Sequence, residues 1–224
     1  MLINQKNYLE IVKQLREKNV VLVAVSKTKP VEAIRELYDL GHRDFGENYV
    51  QELEEKYNQL PKDIRWHFIG HLQSNKVKYI APFVYLIHGI DSFKLLKEVD
   101  KQAKKINRTI DVLLQVHIAQ EETKFGLDEN ELNEVFTSNE LSALTNINIS
   151  GLMGMASLTD KKEKINAEFK NLKSLFDKNN QLQIPNTRLQ ILSMGMSSDY
   201  GIAVEQGSNM VRIGSLIFGE RLHS

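Results

Sequence analysis

Eight short apolar, β-branched runs, each followed by a stretch at helical spacing, constrain the fold of this chain more than any other feature. The clearest run is residues 20–25, VVLVAV, continuous and β-branched as a parallel strand covered on both faces requires. Pro30 stands where a helix can begin, because its missing N–H is not needed there. Ala33, Ile34, Leu37 and Leu40 follow at helical spacing, and Gly41 supplies a left-handed stop. Further strands are expected at residues 43–45, 65–69, 83–87, 110–118, 147–153, 188–192 and 210–213. Helices are expected over 49–59, around 75–80, after the caps Asp91 and Ser92, and over 128–136. Another follows Asp160, which with Glu163 has the spacing of a capping box, and carries Ile165, Phe169, Leu172 and Phe176. Strands separated by helices imply parallel pairing through right-handed crossovers. Eight such units are what closes an α/β chain into a (β/α)8 TIM barrel. An open doubly wound sheet has the same periodicity and stays as the alternative.

A chain of 224 residues suits one such barrel, and no Pro/Gly/Ser-rich linker divides it, so residues 1–224 are expected to form a single domain. Lysine and arginine number 29 and aspartate and glutamate 29, so there is no basic excess of the kind that nucleic acid or an anionic membrane would select. The chain has no cysteine, which excludes disulfide and thiolate chemistry and is compatible with a reducing compartment. Lys6, Glu10, Lys13 and Arg16 interrupt any secretory signal, and no apolar run approaches the roughly 20 residues that span a bilayer. A soluble, cytoplasmic protein is expected.

In a barrel, the loops after the strands converge on one face, where active sites lie. Lys27, in Val25-Ser26-Lys27-Thr28-Lys29-Pro30, follows a buried strand and is expected at a desolvated mouth. Desolvation penalises an ammonium, and a neutral amine is what imine formation with an aldehyde needs. A solvated surface lysine is the alternative, and Lys29 is the local competitor. The loops Ser193-Met194-Gly195-Met196-Ser197-Ser198-Asp199 and Arg212-Ile213-Gly214-Ser215 follow the last two strands, where barrels bind phosphate. Glycines admit backbone N–H groups to an anion and serines add donors; ordinary turns, with Ser198 or Asp199 capping a helix, would look the same. Arg212 lies in an apolar strand and needs a ligand acceptor or a carboxylate nearby. His67 and His71 have no third ligand at metal spacing and are expected to be satisfied core or rim histidines. Asn48 either donates to a ligand or caps the helix it opens.

Together these segments resemble the pyridoxal phosphate homeostasis protein family. The resemblance is carried by Ala24-Val25-Ser26-Lys27-Thr28-Lys29-Pro30, Phe45-Gly46-Glu47-Asn48-Tyr49-Val50-Gln51-Glu52 and His67-Phe68-Ile69-Gly70-His71-Leu72-Gln73-Ser74-Asn75-Lys76. It continues through Lys124-Phe125-Gly126, Gly151-Leu152-Met153, residues 192–199 and residues 211–219, in family order over nearly the whole chain. Asn209 departs from the family's usual threonine, and residues 128–145 are not distinctive. The resemblance implies a barrel of the alanine racemase N-terminal kind (fold type III of the pyridoxal phosphate proteins), with the cofactor aldehyde held as a Schiff base by Lys27. It also implies phosphate contacts from Ser197, Gly214 and Ser215, the pyridine nitrogen near Arg212, and Asn48 beside the ring.

Two functions follow from the resemblance. One is a carrier that holds, buffers or delivers pyridoxal phosphate, with pyridoxal phosphate-dependent apo-enzymes as its partners. The other is a racemase-like enzyme. Racemases of this kind add a β-rich domain that supplies a second base, and the chain ends at Ser224, soon after the eighth strand, so no such domain is expected. Two-base racemisation needs an acid/base on each face of the substrate, and only Lys27 stands out. An arginine beside the pyridine nitrogen disfavours its protonation and weakens the ring as an electron sink. The carrier, a monomer, is therefore expected; a phosphosugar aldolase using Lys27 is a third alternative.

Overall fold

The computed structural model describes residues 2–119 and 125–219. A helix the sequence reading did not single out, α1 (Gln5–Glu17), comes first, with Asn4 as its N-cap accepting from the Asn7 N–H. Its charges lie outside, while Tyr8, Ile11 and Leu15 recur on one face and are buried. Then β1 (Val21–Val25), α2 (Val31–Asp39), β2 (Asp44–Glu47), α3 (Val50–Gln59) and β3 (Arg65–Phe68) alternate. A single 3-10 turn leads to the short α4 (Val77–Ile80), followed by β4 (Leu86–Ile90), α5 (Phe93–Lys105), β5 (Ile110–Val116) and α6 (Glu129–Thr137). The chain continues through β6 (Ile147–Gly154), α7 (Lys162–Asn180), β7 (Thr187–Ser193), α8 (Tyr200–Glu205), β8 (Met210–Ile213) and α9 (Ser215–Phe218).

The strands pair in parallel, each with its neighbour in sequence, and β1 pairs β8 over Val21 to Ala24 opposite Met210 to Ile213. The sheet is a closed barrel, so the open doubly wound alternative is excluded. Within each strand, alternate residues face the helices or the barrel interior. Leu22 and Ala24 join the large core between sheet and helices, whereas Val23 joins Leu86, Leu113, Met153 and Met210 in a separate interior cluster. The outer core is anchored by fully buried Trp66, Phe68 and Phe169, each contributing about 2–3 kcal/mol through burial.

Three local expectations are corrected. The fourth strand begins at Leu86, not at Phe83, because residues 81–84 still belong to the turn that closes α4. The Arg108 guanidinium holds that turn through the carbonyls of Ala81 and Val84. Asp160 and Glu163 form no capping box: α7 has Lys161 at its N-cap without a side-chain bond. The entry to α7 is fixed instead by Glu168, whose carboxylate accepts from the Ser157 N–H and hydroxyl at 2.7 and 2.6 Å. Strand β2 also runs two residues beyond Phe45, to Glu47, a buried charge that an apolar pattern cannot reveal.

Candidate functional site

The site lies at the C-terminal ends of the strands, on the loops after β1, β2, β3, β7 and β8. There Lys27, Asn48, Ser197, Gly214 and Ser215, with Arg212 of β8 itself, line one cavity of about 360 Å³. The residues singled out from the sequence are thus brought together. The walls between them are apolar, made by Val25, Ile69, Met155 and Met196. Met155 went unnoticed; its signal is its place one residue beyond the end of β6, on the interior parity of Met153. A larger open groove of about 800 Å³, between residues 2–9 and Phe218–Gly219, holds none of the candidate residues.

Lys27 is half-buried on a loop fixed by a charged cluster beneath it. Lys56 of α3 is buried and donates to the Ser26 carbonyl and to Glu47, both at 2.8 Å, and to Glu52 at 2.6 Å. The Ser26 hydroxyl donates to Glu47 at 2.6 Å, and the Thr28 N–H donates to Glu52 at 2.6 Å. Thr28 has φ 62°, in the left-handed region that costs a non-glycine residue on the order of 1–3 kcal/mol, and the cluster holds it there. Burial pushes the Glu47 carboxyl up to about 7, against the opposing pull of Lys56. Lys29 lines the same cavity, and its Nζ donates to the carbonyls of Phe218 and Gly219 at 2.9 and 3.2 Å.

Asn48 follows β2 and lines the cavity, and its Oδ1 is buried without a hydrogen-bond partner. It does not cap α3, whose N-cap is Tyr49. Opposite Lys27, the loop after β7 turns at Gly195, with φ 97°, where a Cβ would meet Ala203 at 2.6 Å. Asp199 stands at the start of α8 without capping it and accepts from the Met196 N–H at 2.6 Å, closing the loop on itself. That closure presents Ser197, whose hydroxyl accepts from the Gly214 N–H at 3.3 Å. Ser215 opens α9, and the first N–H groups of a helix lack partners within it. Hydroxyls and N–H groups therefore gather on one wall, the donor set an anion requires.

Arg212, in β8, is buried, and its guanidinium bonds to protein oxygens rather than standing open. Nη1 donates to the Ser193 carbonyl at 2.9 Å and hydroxyl at 2.7 Å, and Nη2 to the Gly154 carbonyl at 3.1 Å. Burial lowers it to about 10, against the pull of Asp199, so it remains a cation at neutral pH. Having five N–H groups, it keeps donors over for the cavity it lines. His67 is a satisfied core histidine, bonded to Asp44 and His88. His71 is a rim histidine paired with Asp91 at 3.0 Å and stacked on Phe125 at 4.0 Å between ring centroids. Among the described residues no group of side chains could hold a metal ion. Lys124 of the Lys124-Phe125-Gly126 segment lies outside the described residues.

The family model of the alanine racemase N-terminal domain matches residues 4–222. The pyridoxal phosphate homeostasis protein of Aquifex aeolicus is 44% identical over 202 residues, 89% of this chain and 86% of that protein. The human protein of the same name is 41% identical over 214 residues, 91% of this chain and 77% of its own. PipY of Synechococcus elongatus, solved with pyridoxal phosphate bound, superposes with a TM-score of 0.83 at 38% identity, covering 94% of this chain and 99% of that one. An alanine racemase of Clostridium difficile shares the fold, with a TM-score of 0.78 at 18% identity over 98% of this chain and 60% of its own.

Proposed function

This chain belongs to the pyridoxal phosphate homeostasis protein family, within the alanine racemase N-terminal domain family, and from that premise we propose that it holds pyridoxal phosphate reversibly, through a Schiff base to Lys27, for intracellular supply. The observation that carries this is the cavity itself: Lys27 and Lys29, the Asn48 side chain and one wall of anion donors enclose a space between apolar faces. At about 360 Å³ it lies at the small end of the roughly 300–1,000 Å³ typical of ligand pockets, which suits a single aromatic ring bearing one phosphate. Bound there, the cofactor supplies an aldehyde to an amine.

The chain's own residues do the holding. Ser197, Gly214 and Ser215 grip the phosphate, with donors that cost about 1–3 kcal/mol each when lost. Val25, Ile69, Met155 and Met196 exclude water from the ring faces. Arg212 donates to the pyridine nitrogen and, being a cation, keeps a proton off it, so negative charge gathering on the ring is stabilised less. That electrostatic bias favours retention and release over chemistry on an amino acid, and apo-enzymes that need the cofactor are the partners it suits. No helix among the described residues is long and apolar enough to cross a membrane. A monomer in the cytoplasm is the form proposed, and the cysteine-free composition is compatible with that reducing compartment.

The test is to load the protein with pyridoxal phosphate, reduce with borohydride and map the modified peptide. Modification of the peptide carrying Lys27 is expected; an adduct on another lysine, or none, defeats the assignment. Incubation with amino acids, followed by proton exchange at their α-carbon, separates carrier from enzyme: exchange at enzymatic rates would favour the racemase-like reading.

A further inference from the structure

Beside the apolar interior cluster of Val23, Leu86, Leu113, Met153 and Met210, an unbroken line of polar side chains crosses the barrel and ends at Arg212. At the opposite end, by the N-termini of the strands, Asp44 borders a cleft of about 340 Å³ shared with Arg65 and Tyr85. Arg65 pairs with the Asp44 carboxylate through Nε at 2.7 Å and through Nη2. Asp44 lies 3.1 Å from His67 Nε2, His67 Nδ1 lies 3.0 Å from His88 Nε2, and His88 Nδ1 lies 3.2 Å from the Ser193 hydroxyl. The same hydroxyl accepts from Arg212 at 2.7 Å.

The two ends give this line a direction. Burial pushes the Asp44 carboxyl up, but the bonds and charge of Arg65 and His67 outweigh it and hold it well below the usual carboxylate range. It is therefore a carboxylate, able only to accept. Arg212 at the other end can only donate. Burial lowers His67 and His88, so both are neutral, with one donor and one acceptor nitrogen each. His67 must then place its proton on Nε2, facing Asp44, and take one on Nδ1 from His88 Nε2. His88 in turn accepts on Nδ1 from Ser193, which leaves the serine oxygen to accept from Arg212. One arrangement satisfies every atom. In a low-dielectric interior, bonds aligned in this way polarise one another.

We propose that Asp44, His67, His88 and Ser193 are positioning residues for the cofactor: as one directional hydrogen-bond line they fix the plane and orientation of the Arg212 guanidinium against the pyridine nitrogen. The proposal rests on the reading of the cavity given above. Apolar side chains would fill the same space without the cost of burying polar groups. Packing alone therefore does not call for two histidines of single tautomer between two ion-bearing ends.

The test has two arms. In cofactor-free protein, long-range proton–nitrogen correlation spectra should show His67 and His88 each as a single neutral Nε2–H tautomer. Asp44→Asn, at the far end, should disturb His88 as well as His67. In protein loaded with nitrogen-labelled pyridoxal phosphate, Ser193→Ala and Asp44→Asn should both displace the ring-nitrogen resonance and the absorbance maximum. Ser193→Thr, which keeps the hydroxyl, should restore both. A wild-type histidine in the other tautomer overturns the proposal, as does a folded Ser193→Ala variant with unmoved ring-nitrogen resonance. If Asp44→Asn does not fold, the Ser193→Ala and Ser193→Thr pair decides alone. Wild-type protein that takes up no pyridoxal phosphate defeats the reading of the cavity and this proposal together, whereas failure of the line alone appears in the tautomers and the variants.

Discussion

A Cβ on Gly70 would lie 2.3 Å from the carbonyl oxygen of Asn48 and 2.8 Å from its Cα. The loop after β3 thus presses directly on the backbone that presents Asn48 to the cavity, and only a residue without a side chain permits the contact. Gly70→Ala forces one of the two loops to move. Overpacking of this kind costs about 1–3 kcal/mol, and here it should also displace Asn48. Chemical denaturation is expected to show the loss of stability, and titration with pyridoxal phosphate a weaker affinity. Unchanged values in both would mean that the contact is looser than described.

Removing the amine is the most direct perturbation. Lys27→Ala is expected to abolish the absorbance of the bound cofactor and the borohydride-trapped adduct, with the circular dichroism spectrum unchanged. An adduct of equal abundance in the variant would transfer the role to another lysine.

On the anion wall, Ser215→Ala removes one hydroxyl donor and leaves the backbone N–H groups in place. A loss of about 1–3 kcal/mol in retention is expected, the usual cost of one donor to a charged acceptor. Equilibrium dialysis against pyridoxal phosphate measures it, and an unaltered dissociation constant would remove Ser215 from the phosphate shell.

Glu47 should make stability depend on pH in an unusual sense. Its carboxyl is raised from 4.5 to about 7 by burial, so between those values the folded chain keeps a proton that the unfolded chain has lost. Stability through this group therefore falls as pH rises from 4.5 to about 7. Glu47→Gln keeps an oxygen for Lys56 and Ser26 but does not titrate. Its stability relative to the parent should rise with pH across that window, as urea unfolding at about pH 5 and about pH 7.5 would show. A constant difference would mean that Glu47 is ionised throughout.

The buried histidines act in the opposite sense. His42 is lowered from 6.5 to about 4 by burial, against the bond to the Asp44 carbonyl; burial lowers His67 and His88 too. Below pH 6.5 the unfolded chain gains protons that the folded chain refuses, so stability through these groups falls as pH drops. His42→Gln is expected to flatten that decline between 6.5 and about 4 in thermal unfolding. A decline of unchanged steepness would assign it to other groups.

How much of this was legible beforehand follows from what each signal consists of. The strand of residues 20–25 and the helix at Ala33, Ile34 and Leu37 were readable because burial on a fixed period leaves its mark in local sequence. Strands β2 and β4 were misplaced because Glu47, His88 and Gly89 interrupt the apolar pattern, although all three are buried. Helix α1 was overlooked because its many charges mask a narrow apolar stripe. At the site, Lys27 and the two glycine-bearing loops could be found from their places after strands, and the resemblance supplied their roles.

Sequence by itself determined the alternation of elements and the chemical types at the strand ends, since both depend on residues near one another in the chain. Closure of β1 on β8, the convergence of Lys27 with Gly214, and the pairing of Asp44 with His67 and of His88 with Ser193 were decided only by tertiary structure. Those contacts join residues 23 to 189 positions apart in the chain. Which buried polar atom meets which is fixed by strand register and barrel closure, and no local pattern carries that information.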